Sequence, residues 1–83
     1  MFTSLIKDVD GRKTERYFKR YDNAEKAMLE DINSCNKTIP LALVKCVNKT
    51  NIAKGFHERY EIYKSDKGET FTWSLVENYF EDL

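Results

Sequence analysis

This sequence has few of the residues that catalysis and metal binding use. Its 83 residues include one histidine, two cysteines, one proline and three glycines. The glycines are isolated, so none of them belongs to a phosphate-binding loop. His57 has no histidine or cysteine at the spacing of a metal site. We therefore expect no enzyme activity, no metal and no cofactor, and we interpret His57 as an exposed strand residue.

The two cysteines, Cys35 and Cys46, are separated by ten residues and form no Cys-x-x-Cys motif. In a reducing compartment, cysteines of this kind usually pack in the core as small apolar side chains. A disulfide or a reactive thiol is the alternative. That alternative would make the chain a small redox protein or enzyme.

Long apolar runs are also missing. None approaches the ~18 residues of a membrane span, and the first residues lack the basic and apolar regions of a signal peptide. We therefore expect a cytoplasmic protein. Lys, Asn, Ile, Phe, Tyr and Met total 33 residues, against 12 for Gly, Ala, Arg and Pro. Because the first set has AT-rich codons, this bias indicates an AT-rich genome, such as that of a low-G+C bacterium, a phage or a mobile element.

Net charge is zero, but charge of one sign dominates each segment in turn. Residues 1–21 carry +3, residues 22–36 carry −3, residues 37–57 carry +4 and residues 58–83 carry −4. Bulk attraction to nucleic acid or membrane is not expected from this balance, whereas local charged patches are. The length predicts a single compact domain over residues 1–83. A chain of this size is marginally stable, and a dimer that shares apolar surface would add stability. We therefore expect a monomer or a homodimer.

The chain begins with a predicted hairpin. Residues 2–9 and 12–21 are interpreted as strands, joined by the turn signal Asp10-Gly11. A two-residue loop would pair Asp8 with Lys13. We favour a three-residue loop, because it pairs Lys7 with Glu15 and Leu5 with Tyr17, which are better cross-strand partners.

A helix and a strand are predicted next. Asp22 and Glu25 fit a capping box, and the helix should end at about Ser34. Its apolar face is Ala24, Met28 and Ile32. Residues 41–47 are almost continuously apolar, which favours a buried strand. Asn48–Gly55 is then predicted to be a polar loop.

The segment Phe56–Leu83 is predicted to form a hairpin and a second helix. A four-residue loop over 65–68 would pair Ile62 with Phe71 and Tyr60 with Trp73. Ser74 and Glu77 fit a capping box, so a helix should follow from Ser74.

These elements define an α+β fold with the order β-β-α-β-β-β-α. We expect a mostly antiparallel sheet of about five strands with two helices on one face. From Asp22 onward, this order and the stretch Gly55-Phe56-His57 are similar to a double-stranded-RNA-binding domain. The last helix lacks that family's lysines, so the resemblance is one of topology. The predicted core is Leu5, Met28, Ile32, Leu43, Phe56, Ile62, Phe71, Trp73, Val76, Tyr79 and Phe80.

The strongest binding signal is basic. Residues 12–20 carry five bases and one acid, with Tyr17 and Phe18 among them. This pattern is typical of an edge strand protected by charge, of a nucleic-acid contact, or of a surface for an acidic protein. The predicted contact residues are Arg12, Lys13, Arg16, Lys19, Arg20, Lys49 and Lys54.

We therefore predict a small, non-catalytic binding or accessory protein that acts by protein–protein contact with an unidentified partner. The alternative is a nucleic-acid-binding module that uses the strand Arg12–Arg20.

Overall fold

Five antiparallel strands and one helix form the described part of the chain, residues 2–51 and 56–78 of the computed structural model. The elements in chain order are β1 (Phe2–Val9), β2 (Arg12–Phe18), α1 (Tyr21–Thr38), β3 (Leu41–Asn51), β4 (Phe56–Ser65) and β5 (Thr70–Asn78). Across the sheet the order is β2-β1-β5-β4-β3, and every neighbouring pair is antiparallel. The predicted α+β class and five-stranded antiparallel sheet are confirmed, with one helix in the described residues instead of two.

The helix predicted from Ser74 is wrong over residues 74–78, because these residues belong to β5. Every second residue of β5 from Phe71 to Leu75 is buried, namely Phe71, Trp73 and Leu75. That period of two is the strand period, and pairing with β1 and β4 on both sides outweighs the capping signal. Residues 79–83 of the predicted helix lie outside the described residues. The order α-β-β-β-α of a double-stranded-RNA-binding domain is therefore not observed.

The first hairpin has a two-residue loop. Asp8 pairs with Lys13 and Val9 with Arg12, so the favoured three-residue register is wrong. Asp10 and Gly11 have φ values of 51° and 89°, as a type I′ turn requires. The Gly11 N–H donates to Asp8 Oδ1 at 2.7 Å. Turn geometry thus decided the register. Lys7 does not pair with Glu15, and its side chain interacts with α1 instead.

The second hairpin differs from the prediction by one residue. Ile62 pairs with Thr72 and Tyr63 with Phe71. The loop has three residues because Gly68, at φ 84°, closes a tight turn in which its N–H donates to the Ser65 carbonyl at 3.0 Å. Because side chains alternate along a strand, this register turns Tyr63 and its alternate neighbours toward the helix.

The helix is longer than predicted. It runs from Tyr21 to Thr38 and buries Ala24, Met28 and Ile32 as expected. The Asp22 capping box is wrong: Arg20 is the N-cap residue and its side chain makes no capping hydrogen bond. Asp22 instead accepts from the Arg20 guanidinium at 3.0 and 3.1 Å.

The core lies between α1 and the strands β1 and β5. Its buried apolar members are Leu5, Ala24, Met28, Ile32, Phe71, Trp73 and Leu75. The helix packs against β1, β5 and β2 and reaches β3 at Leu41, whose N–H donates to Asn36 Oδ1 at 2.9 Å. Three predicted core residues are not buried. Leu43 is exposed because its part of β3 lies beyond the helix, and Val76 is exposed because it alternates with Leu75 and lies on the opposite face of β5. Ile62 pairs with Thr72 on that opposite face and is half-buried. The side chains of Phe56, Tyr79 and Phe80 lie outside the described part.

Candidate interaction surface

The basic strand β2 forms one edge of the sheet, and its predicted contact residues are exposed. Because side chains alternate along a strand, the predicted contact residues are divided between the two faces of β2. Arg16 pairs with the core residue Leu5, so Arg16 and Arg12 lie on the helix side and Lys13 on the other. The Arg16 guanidinium lies 5.0 Å from the Phe18 ring centroid. The strand therefore presents two arginines on one face rather than a single basic surface.

The remaining predicted bases are separated from that face. Lys19 and Arg20 follow β2 and are exposed, but Arg20 is paired with Asp22. Lys49 belongs to β3, at the opposite edge of the sheet, and is paired across strands with Glu58. Lys54 lies outside the described residues. The predicted loop Asn48–Gly55 is wrong as far as Asn51, because β3 continues to that residue.

Sequence reasoning missed an exposed apolar cluster, which we call the β3 patch and define as Leu29, Leu43 and Val44. Their exposed fractions are 43%, 55% and 60%. The pairing of β3 with β4 is irregular between Leu43 and Lys45, which marks a β-bulge. The apolar run 41–47 had favoured a buried strand. Its signal was misleading because the strand lies at the edge and beyond the helix.

Helix geometry places Leu29 on the flank of α1 that faces β4. Glu25 of α1 accepts a hydrogen bond from Arg59 Nη1 of β4, so this flank of the helix faces β4. Leu29 follows Glu25 by four residues and therefore lies on the same flank. Leu43 pairs with Tyr63 of β4, so it lies on the helix side of the sheet as well. The β3 patch thus spans the helix flank and the outer strand.

A polar network on the same flank of the helix fixes α1 on β4. Arg59 bridges Glu25 and Glu61, with Nη2 donating to Glu61 Oε2 at 3.2 Å. The Tyr63 hydroxyl donates to Glu61 Oε1 at 2.7 Å. Glu61 is buried, at 7% exposure, and a buried carboxylate needs hydrogen-bond partners. Arg59 and Tyr63 supply one partner to each of its oxygens. Arg59 Nε is buried without a hydrogen-bond partner among the described residues.

These contacts shift two pKa values. Burial raises the pKa of Tyr63, and its hydrogen bond to Glu61 raises it further, to about 12. For Arg59, burial alone would lower the pKa of the guanidinium, but Glu25 and Glu61 outweigh it and the pKa is raised. Arg59 therefore stays charged, and Tyr63 stays protonated well above neutral pH.

A second network fixes the other flank of α1. Asp31 accepts from Trp73 Nε1 at 2.8 Å and pairs with Lys7 Nζ at 3.1 Å. Lys7 Nζ also lies 3.3 Å from Cys35 Sγ. Burial would lower the pKa of Lys7, but these hydrogen bonds to Asp31 and Cys35 raise it overall. The network connects β1, β5 and α1, so we assign it a structural role.

Both cysteines are free thiols, Cys35 half-buried and Cys46 exposed. The expectation that both lie in the core is therefore wrong for Cys46. Within residues 2–51 and 56–78, no group of three or more metal-ligating side chains is arranged to hold a metal ion. The same part of the chain has no helix with the length and apolarity needed to cross a bilayer.

The chain matches no protein-family model, no curated protein and no solved structure. Its function is therefore argued from its own surface.

Proposed function

We propose that this chain is a small non-catalytic binding protein that acts by protein–protein contact. The observation that carries the proposal is the β3 patch, where three large apolar side chains are exposed on neighbouring elements. Clustered apolar side chains with a polar rim are typical of contact surfaces. We also propose an origin in an AT-rich genome, such as that of a phage or mobile element, which the amino-acid bias supports, and a cytoplasmic site of action.

The patch is held on a rigid support, which favours recognition over accidental exposure. Arg59 and its two carboxylates fix one flank of α1, and Asp31 fixes the other through Lys7 and Trp73. A surface held in place before binding loses less conformational entropy when a partner docks.

Site-specific photo-crosslinking tests the proposal. A photoreactive amino acid at Val44 is exposed to nuclease-treated lysate of a low-G+C bacterium, and the same amino acid at Lys26, on the exposed side of α1, is the control. We expect a discrete protein adduct from position 44 that is absent from position 26. Repeated lysates that give no adduct, or the same adducts at both positions, would overturn the proposal.

Nucleic-acid binding is the second candidate, and the exposed bases of β2 favour it. Arg12, Lys13 and Arg16 project from one edge strand, and Lys19 follows it. Binding would depend on phosphate contacts and fall steeply with salt. Fluorescence anisotropy with labelled single- and double-stranded DNA and RNA at about 50 mM salt tests this. The candidate requires binding that is lost in Arg12→Ala/Arg16→Ala, and the absence of binding at low salt would eliminate it.

A further inference from the structure

The two edges of the sheet differ in how they are protected. An edge strand can pair with another chain, and proteins commonly prevent this with charged side chains. On β2, four of seven residues are charged. On β3, two of eleven are charged, Lys45 and Lys49. Within residues 2–51 and 56–78, the outer position of β3 in the strand order therefore offers an extended, weakly protected edge.

The edge of β3 is regular over most of its length. The bulge is confined to Leu43–Lys45, and from Lys45 to Asn51 each residue pairs in unbroken register with β4. About half of the backbone N–H and C=O groups of an edge strand point away from the sheet. The partner that satisfies a row of such groups is another extended chain.

The charges on and near β3 indicate what kind of extended chain would pair with it. Every charged residue of β3 is a lysine. Lys49 lies opposite Glu58 on β4, whereas Lys45 lies opposite Ile62, with its ammonium 5.9 Å from the Tyr60 ring centroid. On the same face, the next pair toward the β4–β5 turn adds Lys64, opposite Ala42. An acidic strand would meet these lysines with opposite charge.

A second copy of this chain fits the edge poorly. Pairing β3 with β3 of another copy would bring together two strands that have lysines and no acid. Pairing β3 with β2 would add three bases against one acid. Like charges on neighbouring strands destabilise a sheet, so both self-pairings are disfavoured.

We propose that an extended acidic segment of a partner protein adds to the sheet as a sixth strand along β3. Backbone hydrogen bonds hold the segment, and its acids lie beside Lys45 and reach toward Lys64 across the small side chain of Ala42. Its apolar residues contact Leu43 and Val44. This inference rests on the proposed function and specifies the chemistry of its partner.

Selection from a displayed library of random peptides of about ten residues, a length matched to β3, tests the inference. We expect enrichment of peptides that alternate apolar and acidic residues. Lys45→Glu/Lys64→Glu should abolish their binding and select basic peptides instead. The control Lys13→Glu/Arg16→Glu changes the same number of charges on the other edge and should leave binding unchanged.

A backbone scan of the best peptide distinguishes strand addition from other docking. Methylation of one backbone nitrogen at a time should weaken binding about 2- to 10-fold at every second position and little between them. A helical or irregular peptide would not give that period of two. Circular dichroism of each protein variant verifies that it is folded.

Several outcomes would overturn the inference. In the selection, these are no enrichment, or enrichment of basic or uncharged peptides by the unmodified protein. In the controls, they are loss of binding in Lys13→Glu/Arg16→Glu, or a methylation scan without a period of two. Sedimentation velocity showing a dimer that Lys45→Glu/Lys64→Glu strengthens would assign the edge to a second copy. Failure here together with a specific adduct at Val44 leaves the proposed protein contact standing, whereas a missing adduct overturns both.

Discussion

Among the charged residues, Arg59 is predicted to have a large effect on stability. Arg59→Ala removes the charge that compensates Glu61, which is buried. Breaking such a pair costs about 3 kcal/mol, a large fraction of the roughly 4–12 kcal/mol expected for a chain of this length. Urea unfolding followed by Trp73 fluorescence measures the loss. The control is Arg20→Ala, whose ion pair with Asp22 is exposed and should change stability by less than about 1 kcal/mol. Similar losses in both variants would contradict this assignment.

The Tyr63 hydroxyl makes stability depend on alkaline pH. Its pKa is raised to about 12 in the folded protein, against about 10 in the unfolded chain. The folded state therefore holds this proton more tightly, and the resulting stability is present below about pH 10 and lost as pH rises toward 12. Urea midpoints at about pH 9 and 11 should differ more for the unmodified protein than for Tyr63→Phe. Burial also raises the pKa of Tyr21, so Tyr63→Phe should keep part of the dependence of stability on pH. An unchanged dependence in Tyr63→Phe would show that Tyr63 is not responsible.

Among the elements, the β4–β5 turn is predicted to depend on the backbone of Gly68. Its φ is +84°, and a Cβ added there would meet no atom within 4 Å. Gly68→Ala should thus cost about 1 kcal/mol through backbone strain alone. Gly68→Asn should cost less, because asparagine tolerates the left-handed region. Thermal unfolding of the two variants beside Lys67→Ala tests this order. Equal losses for alanine and asparagine would indicate a cause other than φ.

Local signals in the sequence located the strands and turns but not the hairpin registers. Asp10-Gly11 and Gly68 were identified correctly as turn residues. One residue more or fewer in a loop changes the register, and backbone geometry decided it against the side-chain pairings that we favoured.

Non-local contacts explain the other errors. Residues 74–78 had a helix-capping pattern, but β1 and β4 lie on both sides of them and impose a strand. Leu43 and Val44 were expected to be buried because they lie in an apolar run. Whether such a strand is central or at an edge depends on the strand order, which no local pattern contains. For the same reason the β3 patch could not be predicted, whereas the exposed bases of β2 could.

For the whole molecule, the exposed edge of β3 creates a risk of self-association that Lys45 limits. Lys45→Leu would remove one of the two charges on the strand and leave the run Leu41–Val47 without any. We expect increased association, measured by light scattering during concentration. Lys37→Leu, in the last turn of α1, is the matched control. Equal association of both variants would show that surface hydrophobicity in general, and not the edge, is responsible.

The position of β5 has a consequence for how the chain folds during synthesis. β5 is the last of the five strands along the chain, yet it lies between β1 and β4, and Leu5 pairs with Leu75. Until β5 leaves the ribosome, the β1–β2 hairpin and the β3–β4 hairpin share no strand pair. Contacts this distant in sequence make folding slow. A nascent chain therefore exposes the inner edges of both hairpins until β5 has left the ribosome, and a chaperone would protect the chain most during that interval.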